Sequence, residues 1–297
     1  MTIEHLALSG GGPALISSLG AIIEAEEREI FNPAQIKSIY ASSGGAVVAL
    51  FFCLHRDKHF EWETITEFFI HRPWEEVFNL NPTIIIESYH SRGIFGTDTL
   101  KKCFHSFFDA RDISLDITLK EFHDTVSPID LHFFAFELNA FKLVDISWIT
   151  HPEVGFFQAL HMTCSLPLIF APVLIEGDAP FCYIDGGVVC NYPIKYCLHA
   201  VGNDANTILG FKNIYDDTST NRNVTSQSTL LDYLISFVYK FINALREKDE
   251  PPVPNEIKCQ ADFMSLDYIK RAIHSAETRA ALIESGRQAV RDWRPPT

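Results

Sequence analysis

Short apolar runs alternate with amphipathic stretches from the start of the chain. Residues 3–9 (IEHLALS) read as a buried strand, broken by Gly10-Gly11-Gly12-Pro13. Residues 14–28 then put Leu15, Leu19, Ile22 and Ile23 on one helical face, and Pro33 punctuates. Residues 36–41 (IKSIYA) form a second apolar run, followed at once by Ser42-Ser43-Gly44-Gly45 and an apolar helix over 46–55. Strand, turn and helix, twice in succession, predict a three-layer α/β/α fold with a central, mostly parallel sheet.

Further along, 60–108 reads as mainly helical, interrupted at Pro73, Pro82 and Gly93. Residues 131–138 and 141–146 alternate as two strands around Asn139-Ala140, and 156–164 is helical. Short strands are expected over 172–175 and 182–184, around Gly177-Asp178, and a buried one over 208–211. Residues 213–229 form a polar loop, a mobile lid or a plain surface connection. From 230 to 293 the pattern is helical with a break at Pro251 to Pro254. Within 230–245, Asp232, Ser236, Lys240 and Asn243 make one narrow, scarcely basic polar stripe, which favours a helix packed on the core over one lying on a membrane. No internal repeat or compositional shift divides the chain, so one domain with a helical C-terminal extension is the simplest parse.

Composition narrows the function classes. A formal charge of −14 disfavours non-specific nucleic-acid binding and gives no long-range attraction to anionic lipid. The 24 Phe residues imply much buried aromatic surface, in a core or against an apolar ligand. Seven Cys, an odd number without C-x-x-C spacing, point to reduced thiols and a cytosolic setting. Residues 1–8 carry Glu4 and His5 and are too short for a signal peptide, and no apolar run approaches the ~18 residues of a membrane span.

Three turns carry candidate chemistry. Ala41-Ser42-Ser43-Gly44-Gly45 departs from G-x-S-x-G at its first position, and small neighbours allow the tight strand-to-helix turn that lifts a Ser hydroxyl above a sheet. A small-residue N-cap turn has the same letters. Gly10, Gly11 and Gly12 can bring N–H groups close to an anion, or merely make a turn. Leu15 at the sixth position breaks G-x-G-x-x-G, and no Lys-Ser/Thr follows, so nucleotide binding is disfavoured. Asp185-Gly186-Gly187, at a strand end, either points a carboxylate into a cleft or makes an Asx turn.

Taken together, in this order, the three resemble the patatin-like phospholipases, Ser–Asp dyad acyl hydrolases. Leu19-Gly20-Ala21-Ile22, Gly93-Ile94-Phe95 with Asp98 to Leu100, residues 159–173 (ALHMTCSLPLIFAPV) and residues 183–194 (YIDGGVVCNYPI) extend the resemblance, with a looser match at Ser285-Gly286. It implies a catalytic domain over 1–215 and a helical extension over 216–297 packed on the same domain. It further implies Ser43 as nucleophile, Asp185 as base, oxyanion N–H groups from Gly10, Gly11, Gly12 and Gly44, and motif support from Gly45, Gly186 and Gly187. An acid in an apolar cleft accepts a proton better than in water. No metal or cofactor is implied. The substrate would be a glycerophospholipid or acylglycerol ester at a membrane or micelle surface, and the location cytoplasmic or peripheral. An activating protein and the oligomeric state stay open. The family usually has Arg or Lys two positions after the third glycine, then Gly; here Pro13-Ala14-Leu15 stands there, with Lys195 or Arg92 as candidate replacement cations. That departure keeps a second reading open, a binding protein on the same fold with weak or lost catalysis. A triad through His151, His161 or His199 is the rival arrangement, and is not favoured.

Overall fold

The computed structural model describes residues 2–79, 89–215, 224–245, 250–262 and 265–295. In chain order the elements are β1 (His5–Leu8), α1 (Leu15–Glu27), β2 (Ser38–Ser42), α2 (Gly44–Arg56), α3 (Trp62–His71), α4 (Trp74–Val77), β3 (Gly93–Phe95), α5 (Thr97–Asp109), α6 (Leu119–Thr125), β4 (Asp130–Glu137) and β5 (Lys142–Ile146). There follow α7 (Phe156–Cys164), β6 (Leu168–Phe170), β7 (Val173–Ile175), β8 (Phe181–Asp185), α8 (Ile194–Ala200), β9 (Ile208–Tyr215), α9 (Leu230–Leu245), β10 (Glu256–Ala261), α10 (Leu266–His274) and α11 (Ala276–Asp292).

The eight-stranded sheet runs β10-β9-β1-β2-β4-β8-β7, with β5 also paired to β4. The five strands from β10 to β4 are mutually parallel. Alternation along each strand sorts side chains to the two faces. Leu6, Leu8, Ile39, Ala41, Phe133 and Ala135 join the large core with α1, α2, α7 and α11. Ala7, Tyr40 and Phe134 face the other way, onto Ile194 and Cys197 of α8. The expected three layers are thus present, with unequal outer layers.

The edges of β4 decide where the site lies. β5 lies opposite Phe133 to Glu137, which fills one edge. β2 lies opposite Asp130 to Phe134 and β8 opposite Ala135 to Glu137, so these two share the other edge end to end. β2 is parallel to β4 and β8 antiparallel, so their C-terminal ends converge, Ser42 opposite Phe134 and Asp185 opposite Ala135.

Three strands were not anticipated. β10 lies in the stretch expected to be helical; Ile257, Cys259 and Ala261 are buried and alternate with Glu256, Lys258 and Gln260, the period of an edge strand. β3 and β6 are three-residue strands, too short to show a period, and pair with each other outside the main sheet. β9 also runs on to Tyr215, so 213–215 is strand where a loop was expected. The expected loop residues 216–223 and the break at Pro82 lie outside the described residues.

The C-terminal helix is joined closely to the first. A Cβ on Gly20 would lie 2.1 Å from the Ile283 carbonyl oxygen, and one on Gly286 would lie 1.8 Å from that of Ser17. Glycine at both positions lets α1 and α11 touch backbone to backbone. Glu24 of α1 caps the contact by accepting from Arg291, Arg28 and Arg287. The Arg291 hydrogen bonds lead in holding its carboxyl down at about 2.

Candidate active site

Ser43 is the residue between β2 and α2, with φ 50° and ψ −126°. Non-glycine residues rarely occupy that region, and such strain persists only where the surroundings enforce it. Here they do. The Ser43 N–H donates to Thr163 Oγ1 at 2.9 Å, and that hydroxyl donates to the Phe134 carbonyl at 2.5 Å. Thr163 of α7 therefore bridges the gap on β4 where β2 stops and β8 has not begun. The neighbouring Ser42 hydroxyl donates to the Cys190 carbonyl at 2.7 Å. On the helix side, a Cβ on Gly45 would lie 2.7 Å from the Leu8 carbonyl oxygen, which explains the small residue after the turn.

Asp185 ends β8 and is 3 % exposed. Its Oδ1 accepts the Gly187 N–H at 2.7 Å, and its own N–H donates to the Ser165 carbonyl at 3.0 Å. The Asx turn weighed from sequence is present, and it orients the carboxylate rather than replacing a role in the cleft. Gly186 sits against β4, where a Cβ would lie 2.1 Å from the Phe134 carbonyl oxygen. Burial, followed by the nearby Asp185 charge, pushes the Cys164 thiol well up.

The glycine turn divides its labour in a way the sequence did not show. Gly10 was expected to offer an N–H to an oxyanion, but that N–H donates to the Asn191 carbonyl at 2.9 Å. Its carbonyl accepts from Asn191 Nδ2 at 3.1 Å, Asn213 Nδ2 at 3.1 Å and the Tyr215 hydroxyl at 3.3 Å. Gly10 is a clamped anchor, and a Cβ there would lie 2.9 Å from Ser43 Cβ. Gly11 and Gly12, by contrast, line the cavity beside Ser43, and their N–H groups have no partner among the described residues. Gly12 carries φ 52°, a conformation that favours glycine. Gly44, first residue of α2, lines the same space, and its N–H has no partner within the helix.

The cavity measures about 210 Å3, and Ser43, Asp185, Gly11, Gly12, Gly44 and Gly187 lie together on its wall. The rest is largely apolar, with Phe69, Trp74, Phe78, Phe95, Phe104 and Phe170 as aromatic lining. Tyr239 and Ile242 of α9 also line it. Pro13 and Leu15 face it, whereas Ala14 is fully buried behind them. Lys195 and Arg92 are exposed and do not line it. Among the described residues the lining cation is Arg279, from the C-terminal region, which the sequence had not singled out. Its guanidinium donates to the carbonyls of Ile70, Ala272 and Ile273, joining α3 to the end of α10.

None of the three histidines weighed for a triad lines the cavity. His161 is buried against Thr97, with Nδ1 2.7 Å from its hydroxyl, and burial holds its pKa at about 4. His151 contacts the Thr150 hydroxyl, and His199 lies exposed on α8, on the opposite face of the sheet. Thr163, Asn191, Asn213 and Tyr215 are the supports missed from sequence. Thr163 and Asn191 stand inside the stretches that carried the resemblance, but only the fold shows what they bond.

The family model for patatin-like phospholipases matches residues 6–198. A protein of Acanthamoeba polyphaga mimivirus, R571, is 27% identical over 200 residues, 65% of this chain and 60% of that one. A protein of Invertebrate iridescent virus 6, named "Probable lipid hydrolase 463L", is 28% identical over 120 residues, 40% of each chain. The chain thus aligns with roughly half the length of these relatives. Among solved structures, VipD from Legionella pneumophila is 14% identical with a TM-score of 0.47, covering 96% of this chain and 67% of that one. With the family model spanning well over half of its residues, this chain belongs to the patatin-like phospholipase family.

Proposed function

We propose that the protein is a serine acyl hydrolase that cleaves fatty-acyl esters of glycerophospholipids or related lipids through Ser43 and Asp185. The observation that carries this reading is the convergence of the β2 and β8 ends on adjacent residues of β4, which brings both side chains to one apolar cavity.

The chemistry follows from the groups present. A serine hydroxyl is a weak nucleophile until a base takes its proton during attack. Asp185 is that base, oriented by the Gly187 N–H. Ser43 Oγ bonds to the ester carbonyl carbon while its proton passes to Asp185, and the carbonyl π electrons move onto oxygen. The N–H groups of Gly11, Gly12 and Gly44 receive that oxyanion, fixed beforehand by the clamped turn. Collapse breaks the ester C–O bond, and the leaving alkoxide takes the proton from Asp185. Water then attacks the acyl-enzyme with Asp185 again as base; fatty acid leaves and Ser43 regains its proton. The aromatic lining suits an acyl chain. With Arg279 committed to carbonyls and Lys195 and Arg92 outside the cavity, neutral or zwitterionic esters are favoured over strongly anionic ones.

Pro13-Ala14-Leu15 does not favour the reading of lost catalysis, because the N–H groups of Gly11, Gly12 and Gly44, without a partner among the described residues, need no cation from that segment. The test is hydrolysis of phosphatidylcholine, diacylglycerol and phosphatidylglycerol at matched chain length. Wild type is expected to cleave the first two faster than the third, and Ser43→Ala none. Activity surviving in Ser43→Ala overturns the assignment.

A further inference from the structure

Helix α9 is apolar on two opposite sides. Ile235, Tyr239 and Ile242 point inward; Ile235 packs with Phe95 and Ile169, and the other two line the cavity. On the outer side, Leu230, Tyr233, Phe237, Phe241 and Leu245 recur every three or four residues, with Leu230 at 73%, Phe237 at 50% and Phe241 at 57% exposure. Tyr233 and Phe237 lie 6.3 Å apart by ring centroid, and Phe237 and Phe241 lie 5.1 Å apart. The row is continuous over about 22 Å at 1.5 Å per residue. Contiguous exposed apolar surface of this kind marks an interaction site. The packing expected from sequence accounts for the inner side alone.

We propose that the outer side of α9 docks the protein on a zwitterionic lipid surface, so that the cavity opens where its substrate resides; this rests on the acyl-hydrolase reading above. The row supplies aromatic and aliphatic groups suited to the boundary of headgroups and acyl chains. Its chemistry does not favour docking by charge: the chain carries −14, and Lys240 is the exposed cation described on this helix. An acidic protein gains nothing from anionic lipid, so insertion of side chains supplies the affinity. The site is also continuous with the cavity. One helix presents Phe237 and Phe241 outward and Tyr239 and Ile242 to the space that holds Ser43. A lipid leaving the surface beside α9 therefore has one helix thickness to cross.

The test is co-sedimentation of the full chain with phosphatidylcholine vesicles, in wild type, Ser43→Ala and Phe237→Ser/Phe241→Ser. Wild type and Ser43→Ala are expected to partition equally, with binding insensitive to salt and not raised by added phosphatidylglycerol. The double variant should partition at least about tenfold less. It should lose vesicle hydrolysis in proportion, yet hydrolyse soluble p-nitrophenyl butyrate at the wild-type rate. If the double variant misfolds, Phe237→Trp replaces it, with a blue shift of emission on vesicles as the expected result. Vesicle binding by an enzyme inactive on every ester would defeat the hydrolase reading and leave the docking surface standing. Absence of wild-type binding, equal binding by the double variant, salt-sensitive binding that needs phosphatidylglycerol, or a wild-type dimer that the double variant converts to monomer each overturns the proposal.

Discussion

At the floor of the cavity the backbone that carries Gly10, Ser43 and Asp185 is held by fixed partners. Gly10 is held through both its N–H and its carbonyl, the Ser43 N–H by Thr163, and Asp185 by Gly187. Across the cavity, α9 offers Tyr239 and Ile242 inward and a row of exposed aromatics outward. The floor is specified by directional hydrogen bonds in a buried setting, where misplacing one donor is costly. The α9 wall presents mainly apolar surface, inward and outward, and apolar packing tolerates more change in shape. In the proposed chemistry, reaction geometry belongs to the first region and access to the second.

Substitutions should separate the two regions sharply. Ser43→Ala and Asp185→Asn are expected to lower kcat by about ten-thousand-fold while leaving the melting temperature nearly unchanged. Gly286→Ala tests the scaffold: its Cβ would lie 1.8 Å from the Ser17 carbonyl oxygen, so α1 and α11 must separate. The expected loss is about 3 kcal/mol by chemical denaturation, with kcat falling only when the protein unfolds. Thr163→Val removes the acceptor of the Ser43 N–H and the donor to Phe134 together. It should cost about 2 kcal/mol of stability and lower kcat more than it raises KM, and Thr163→Ser should restore both. A Thr163→Val enzyme with wild-type kcat would break the claim that the floor needs its directional bonds.

A smaller effect comes from α7. His161 titrates near 6.5 when unfolded but at about 4 in the folded protein, because burial opposes its charge. Between those values the unfolded state binds the extra proton, so stability falls as pH drops through that window and is flat above it. From pH 6.5 to 5 the loss should be roughly 2 kcal/mol, and His161→Gln should flatten it. Below about pH 4.5 the loss of the Glu24 carboxylate adds to the decline, since its depressed pKa makes it a source of stability at higher pH. Smallest of all, Phe237→Ser/Phe241→Ser should shift stability by less than about 0.5 kcal/mol, as for other exposed positions. A loss near that of Gly286→Ala would mean that α9 is part of the core rather than a surface.

Much of the floor was legible in the chain. A glycine turn after an apolar run, a Ser between small residues and an Asp-Gly-Gly at a strand end are local patterns, and local patterns survive in sequence. What those residues bond was not legible, because the partners are remote: Thr163 lies 120 positions from Ser43, and Asn213 lies 203 from Gly10. For the same reason Gly10 read as a donor, when the carbonyl of Asn191, 181 residues away in the segment before α8, takes its N–H. β10 was missed although its alternation is visible, because six residues between helical stretches give a weak period. The two apolar sides of α9 were also present in the letters, but which side meets the core depends on a cavity that no local window shows.

The pairing of Ser43 with Asp185 is the centre of the proposed chemistry. Reaction with a fluorophosphonate, followed over time with the adduct mapped by mass spectrometry, tests that pairing without assuming a substrate. Wild type should be labelled at Ser43, and Asp185→Asn, folded to the same melting temperature, should label at least about a hundredfold more slowly. Labelling of Asp185→Asn at the wild-type rate, or an adduct on any residue other than Ser43, would contradict the dyad.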